Sequence, residues 1–130
     1  MAFGTATVLT NAGKAITTNR LIGAGTEPKF LGVGTGATTA ARTAVAADTA
    51  LSTAVESRVG TNNGTRTTTT AANDTYQVVQ TITATGARAI DEAGLFDAST
   101  AGNMFLSATF PVVNLLTGDS IQITAQVQYT

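Results

Sequence analysis

The side chains best equipped for chemistry in this chain are its carboxylates. Of the eight Asp and Glu residues, only Asp91, Glu92 and Asp97 lie close together. Paired carboxylates can act as general acid and base, and carboxylates with loop carbonyls can hold a hard cation such as Ca2+. Asp91 and Glu92, however, are adjacent, and neighbours on a strand project to opposite faces, so the two form neither a dyad nor a chelate. Asp97 with loop carbonyls remains a Ca2+ candidate, but no EF-hand-like spacing surrounds it. The simpler role for Glu92 and Asp97 is to pair with Arg88 or to cap turns. The chain has no His and no Cys, which removes the commonest general base, the Ser-His-Asp and Cys-His arrangements and thiolate metal sites. GVGTG at 32–36 lacks the GxGxxG spacing and the Walker lysine of a phosphate loop, and reads as a bulge or turn. Tyr76 and Tyr129 could stack on sugars, although aromatic residues are only 5% of the chain, so a lectin-like groove is weakly supported. The expectation is a protein that is not an enzyme and uses no cofactor and no metal.

Composition narrows the partners. At 130 residues the chain fits one domain, 1–130, able to bury roughly two thirds of its unfolded surface. A net charge of -1 with 12% charged residues provides no basic surface for phosphate backbones, so no nucleic acid partner is expected. The first twenty residues lack the basic start and apolar core of a signal peptide. No apolar run approaches the roughly 20 residues that span a bilayer, so no membrane partner is expected either. Thr makes up about a fifth of the chain, which favours pleated, half-wet surfaces.

The elements follow from pattern. Residues 1–9, with Phe3 and Val8, read as a first short strand or as an arm reaching another subunit. Thr10 or Asn11 caps a helix over 11–23, whose rough stripe is Ala12, Ala15, Ile16, Leu21 and Ile22, with Gly23 at its end. Residues 28–130 read as sheet. Asp48 is placed to cap a short helical turn through Ala50, Leu51, Ala54 and Val55, the alternative being an extended loop pinned by Leu51. GTNNG at 60–64 is a hairpin-type turn signal. In the strand that begins at Tyr76, Gln80 and Val79 break an otherwise clean alternation. The last strand, 121–129, alternates apolar and polar without a fault. About seven or eight strands with one short N-terminal helix make a mainly β chain, an antiparallel β-sandwich or jelly roll.

Two places break the period of two informatively. Leu95 and Phe96 are neighbours and so point to opposite faces. In 103–110, Met104, Leu106, Ala108 and Phe110 share a face and leave Phe105 alone on the other, before Pro111 closes the strand. Either the N-terminal helix covers these stray apolar groups or another subunit does. Phe3, Val8, Leu95, Phe96 and Phe105 are therefore the candidate protein–protein interface.

LTNAGKAITTNRLIGAGTEPKFLGVGTGATTA, DTAL at 48–51, and AIDEAGLFDASTAGNMFLSATF followed by GDSIQIT together resemble the small jelly-roll head decoration, or cement, proteins of tailed bacteriophages. Residues 92–96, Gly102, Asn103, Leu106, Phe110, Gly118 and Asp119 carry most of the resemblance, and they look like turn and core determinants. The resemblance implies a non-enzymatic virion protein, made in the host cytoplasm, that binds the outer surface of the head. Its expected partners are the major capsid protein and further copies of itself, as a dimer or trimer. Related segments also occur in tail components, so a tail or tail-fibre module contacting a host receptor or glycan is the alternative.

Overall fold

The computed structural model describes residues 7–130, in which eight strands and one helix form two packed antiparallel sheets. Strands β1 (Thr7–Leu9), β2 (Phe30–Thr35), β3 (Thr53–Val59), β6 (Arg88–Phe96) and β7 (Met104–Leu115) make one sheet in the order β1-β7-β6-β2-β3. Strands β4 (Thr65–Thr67), β5 (Thr75–Thr83) and β8 (Ser120–Gln128) make the other, β4-β5-β8. The expected mainly β sandwich is therefore the observed architecture. No helix among the described residues is long and apolar enough to cross a membrane.

The core lies between the sheets. Strand β8 contributes Ile121, Ile123 and Ala125, as its alternation requires, and β5 contributes Val78 and Ile82. The facing sheet contributes Leu31, Val33, Ala93, Leu95 and Leu106, which register across β2, β6 and β7. Gln80, the residue that interrupts the β5 pattern, is fully buried. Its amide donates to Lys29 O at 2.9 Å and Asn62 O at 2.8 Å, and its carbonyl oxygen accepts from Asn62 N at 3.2 Å. GTNNG is thus not a hairpin. It is the crossover from β3 in one sheet to β4 in the other, and Gln80 supplies the hydrogen bonds that a hairpin ladder would otherwise provide.

Leu95 and Phe96 point to opposite faces, as expected, but two irregularities between β6 and β7 overturn the β7 face assignments made from period alone. Leu95 registers with Leu106, but Phe96 registers with Met104, so Phe105 is an extra residue on β7. Met104 and Leu106 consequently lie on opposite faces, and Phe105 joins Leu106 in the core. The second irregularity falls between Ile90, opposite Val113, and Glu92, opposite Thr109. Pro111 sits within it, so it does not end the strand: β7 runs on to Leu115, since the missing N–H interrupts no ladder at a bulge.

The face of the larger sheet that points away from the core is covered by the loop 36–52. The expected helical turn from Asp48 does not form, because the Asp48 carboxylate is used elsewhere: it accepts from Arg42 at 2.7 Å, Ser107 Oγ at 2.7 Å and Val45 N at 3.0 Å. Arg42 also donates to Glu92 through Nε at 3.1 Å and Nη2 at 2.7 Å. Gly34 makes room for this arrangement, since a Cβ there would run into the Glu92 carboxylate and lie 2.7 Å from Thr53 O. The glycines of GVGTG therefore serve close packing.

Helix α1 (Asn11–Leu21) begins one residue after Thr10, whose hydroxyl accepts from Gly13 N at 2.9 Å. The helix stops at Leu21, earlier than expected, and only Gly13 and Ile16 are buried, so the anticipated stripe is mostly outside. Gly13 sits directly on the Phe105 carbonyl: an added Cβ would clash with that oxygen and come within 2.8 Å of Leu9 Cδ1.

Two substitutions test this account. By helix propensity alone Gly13→Ala should stabilise by about 1 kcal/mol. Its contact with β7 should reverse the sign, giving a loss of about 1–3 kcal/mol in urea unfolding. Arg42→Ala leaves the Glu92 carboxylate buried without its cation and should lower stability by about 3–5 kcal/mol in the same measurement.

Candidate functional site

The residues expected at an interface are mostly interior. Phe3 lies outside the described residues. Val8 is half-buried in β1, opposite Ser107. Leu95, Phe96 and Phe105 are 0%, 2% and 2% exposed, so this chain's own groups cover all three. Leu95 and Phe105 are in the core, the second because of the bulge. Phe96 is on the opposite face, where the Arg58 guanidinium lies 3.4 Å from its ring centroid. Arg58 is fixed there by donating to Ala98 O at 2.9 Å and Ala101 O at 2.7 Å. A surface role for this trio is therefore replaced by a packing role. Cover by this chain itself was one of the two expected alternatives; for Phe105 periodicity gave the wrong face because one inserted residue exchanges the two.

The accessible apolar surface is elsewhere. Leu21 and Ile22, at the end of α1, are each 80% exposed, and Tyr129 is 45% exposed. Leu21 and Tyr129 line a groove of about 550 Å³ between α1 and the sandwich, and Ile22 follows Leu21 just outside it. Ile16, Pro28, Tyr76 and Phe105 form its apolar lining. Tyr76 meets Phe105 edge to face, with centroids 5.9 Å apart and planes at 87°. The β7 bulge is thus what supplies the floor of the groove.

The polar groups of the groove are already engaged. Tyr76 donates its hydroxyl to Pro28 O at 3.0 Å and Glu27 Oε1 at 3.4 Å. Burial pushes the Tyr76 phenol well above its usual value, and the neighbouring Glu27 charge pushes it further. The hydroxyls of Thr17 and Tyr129 are 3.2 Å apart. Arg20 donates to Gly25 O at 2.9 Å, which holds it at the groove that Glu27 also lines. The two tyrosines, far apart in sequence, line one groove, a convergence that no sequence spacing could announce.

The carboxylates also have structural tasks. Asp97 accepts from Asn103 N at 2.7 Å and Nδ2 at 3.2 Å, closing the β6–β7 turn. Turn capping was one of its expected roles. Glu92 does pair with an arginine, but the partner is Arg42 rather than Arg88, which binds Glu56 at 2.8 Å. Asp91 accepts from Ala37 N and Thr38 N, Asp74 from three successive amides at 69–71, Asp119 from Leu116 N and Glu27 from Gly64 N. Among the described residues no three acidic groups gather as a metal-holding cluster.

Compared with protein-family models, curated proteins and solved structures, the chain matches none.

Carboxylates held by backbone N–H groups should make the fold acid-sensitive. The amides of Ala71, Thr69 and Thr70 hold Asp74 far below the usual carboxylate range. The Thr85 amide, with Arg88, lowers Glu56. Burial pushes Asp91 up, but the amides of Thr38 and Ala37 outweigh it and leave it lowered. A group depressed in the folded state binds more protons when unfolded, so its stabilisation is complete above the unfolded pKa and declines as pH falls through the folded one. The urea midpoint should be flat above about pH 5 and fall steadily below about pH 4. Asp74→Asn should make the fall shallower.

Proposed function

We propose that this chain is a non-enzymatic structural protein of a tailed-bacteriophage virion. In this reading it is a decoration, or cement, protein that binds the major capsid protein on the outside of the head, associates with its own copies and strengthens the shell. The observation that carries the reading is the division of its groups. All eight carboxylates hold turns, the loop 36–52 or arginines, while Leu21, Ile22 and Tyr129 are exposed at and beside the end of α1. A molecule organised in this way acts by adhesion. The resemblance of 89–110 and 118–124 to head decoration proteins supports the same role, and those residues form β6, its turn, β7 and the entry to β8. Each copy would contribute a modest interface, and a symmetric shell would add many of them.

A second reading is a tail or tail-fibre module that contacts a host receptor or glycan. One observation favours it: Tyr76 and Tyr129 share a groove.

Cryo-microscopy of intact particles decides between the two. The expected result is density for the sandwich at regular positions on the outer head surface, with shells lacking the protein breaking at lower temperature. Density confined to the tail, together with binding on a glycan array, would establish the second reading in place of the first.

A further inference from the structure

We propose that the end of α1 and the groove behind it form the surface through which two copies of this chain associate, each placing Leu21 and Ile22 against the groove of the other. This deepens the self-association proposed above and rests on it, though not on the capsid.

Shape comes first. Leu21 forms the lip of the groove and Ile22 follows it, and both are 80% exposed. An apolar knob and an apolar hole therefore stand side by side on one face. Such a face is complementary to itself under a two-fold axis, where each copy offers the knob that the other lacks.

Charge gives the same answer. Arg20 and Glu27 stand on the same groove, one of each sign, and neither takes part in an ion pair among the described residues. A two-fold axis sets Arg20 of one copy opposite Glu27 of the other, so the rim becomes complementary as well as the centre.

The chemistry inside the groove selects the occupant. The Tyr76 hydroxyl is committed to Pro28 O and Glu27, and the Thr17 and Tyr129 hydroxyls to each other. A sugar entering here would bring hydroxyl groups to partners that are already taken, and each unpaired group carries a desolvation penalty. Leu and Ile side chains need no such partners. A contact centred on two side chains from each copy makes a weak pair that depends on concentration in solution. On a surface that holds copies side by side, the same contact becomes effectively intramolecular and saturates.

Sedimentation equilibrium of the purified full chain, from micromolar to millimolar concentration, tests the inference. The average mass should rise from one copy toward two. Leu21→Asp and Ile22→Asp should each raise the dissociation constant by about tenfold or more. Because both side chains are exposed, the thermal midpoint of the monomer should not move, which separates lost association from lost fold. Arg20→Glu, which brings like charges together across the axis, should also weaken the pair. The proposal is overturned if the wild type stays monomeric throughout, if Leu21→Asp associates as the wild type does, or if the limiting mass is three copies. Binding to purified heads is read separately. A chain that decorates heads but never pairs sinks this inference alone, and one that pairs but ignores heads sinks the capsid reading alone.

Discussion

A carboxylate with no access to water holds the outer half of this molecule in place. Glu92 is in the middle of the larger sheet, on the side away from the core, and is 0% exposed. Moving a lone carboxylate into such a place is unfavourable by several kcal/mol, so the surroundings must supply a cation and hydrogen-bond donors. They do so from the loop 36–52 and the first residue of β3. Arg42 reaches Glu92 with two nitrogens and Asp48 with a third, and Thr53 N completes the set at 2.9 Å. The strap 36–52 is therefore specified by what Glu92 requires, and not by helix or strand propensity. The glycines beneath it follow, because Gly34 leaves the space into which the carboxylate fits. A sheet that would otherwise need a third layer covers this part of its outer face with one loop, and Arg58 covers Phe96 beside it.

The same constraint explains which parts of the fold were legible in the sequence. Strand β8 was readable because it has one dry face and one wet face, and its ladder with β5 runs without a shift from Ser120 to Gln128. The start of α1 was readable because its cap is local, Thr10 to Gly13. Reading failed where a residue answers to something distant. Asp48 resembles a helix cap until Arg42 and Ser107 take its oxygens. GTNNG resembles a hairpin until Gln80 fixes it as a crossover. Phe105 was assigned to the wrong face because a bulge adds one residue, and a period of two has no means of counting it. Each of these determinants is a side chain far away in the sequence, so no window of neighbours contains it.

The bulge at Phe105 also links the core to the surface. By turning Phe105 inward it gives Tyr76 an aromatic partner and gives α1 a carbonyl to sit on, which Thr10 N reaches at 3.1 Å. The helix must lie close, and Gly13 permits it. A helix docked through Gly13 and Ile16 near its start has nothing beneath its end, so Leu21 and Ile22 project into water. Exposure there is the geometric result of tight docking at the other end.

That result bears on how the molecule works. Exposed Leu and Ile at the tip of a helix are a liability in a soluble monomer, and a single polar substitution would remove it without disturbing the packing. The sequence keeps polar side chains elsewhere on the same helix, at Lys14, Thr18 and Asn19, all exposed. The apolar character of the tip is therefore local to the groove and is not a general property of the helix surface. The inward groups of this protein are consumed by folding, down to the last carboxylate. At the end of α1 the docking of the helix leaves apolar side chains, Leu21 and Ile22, in water.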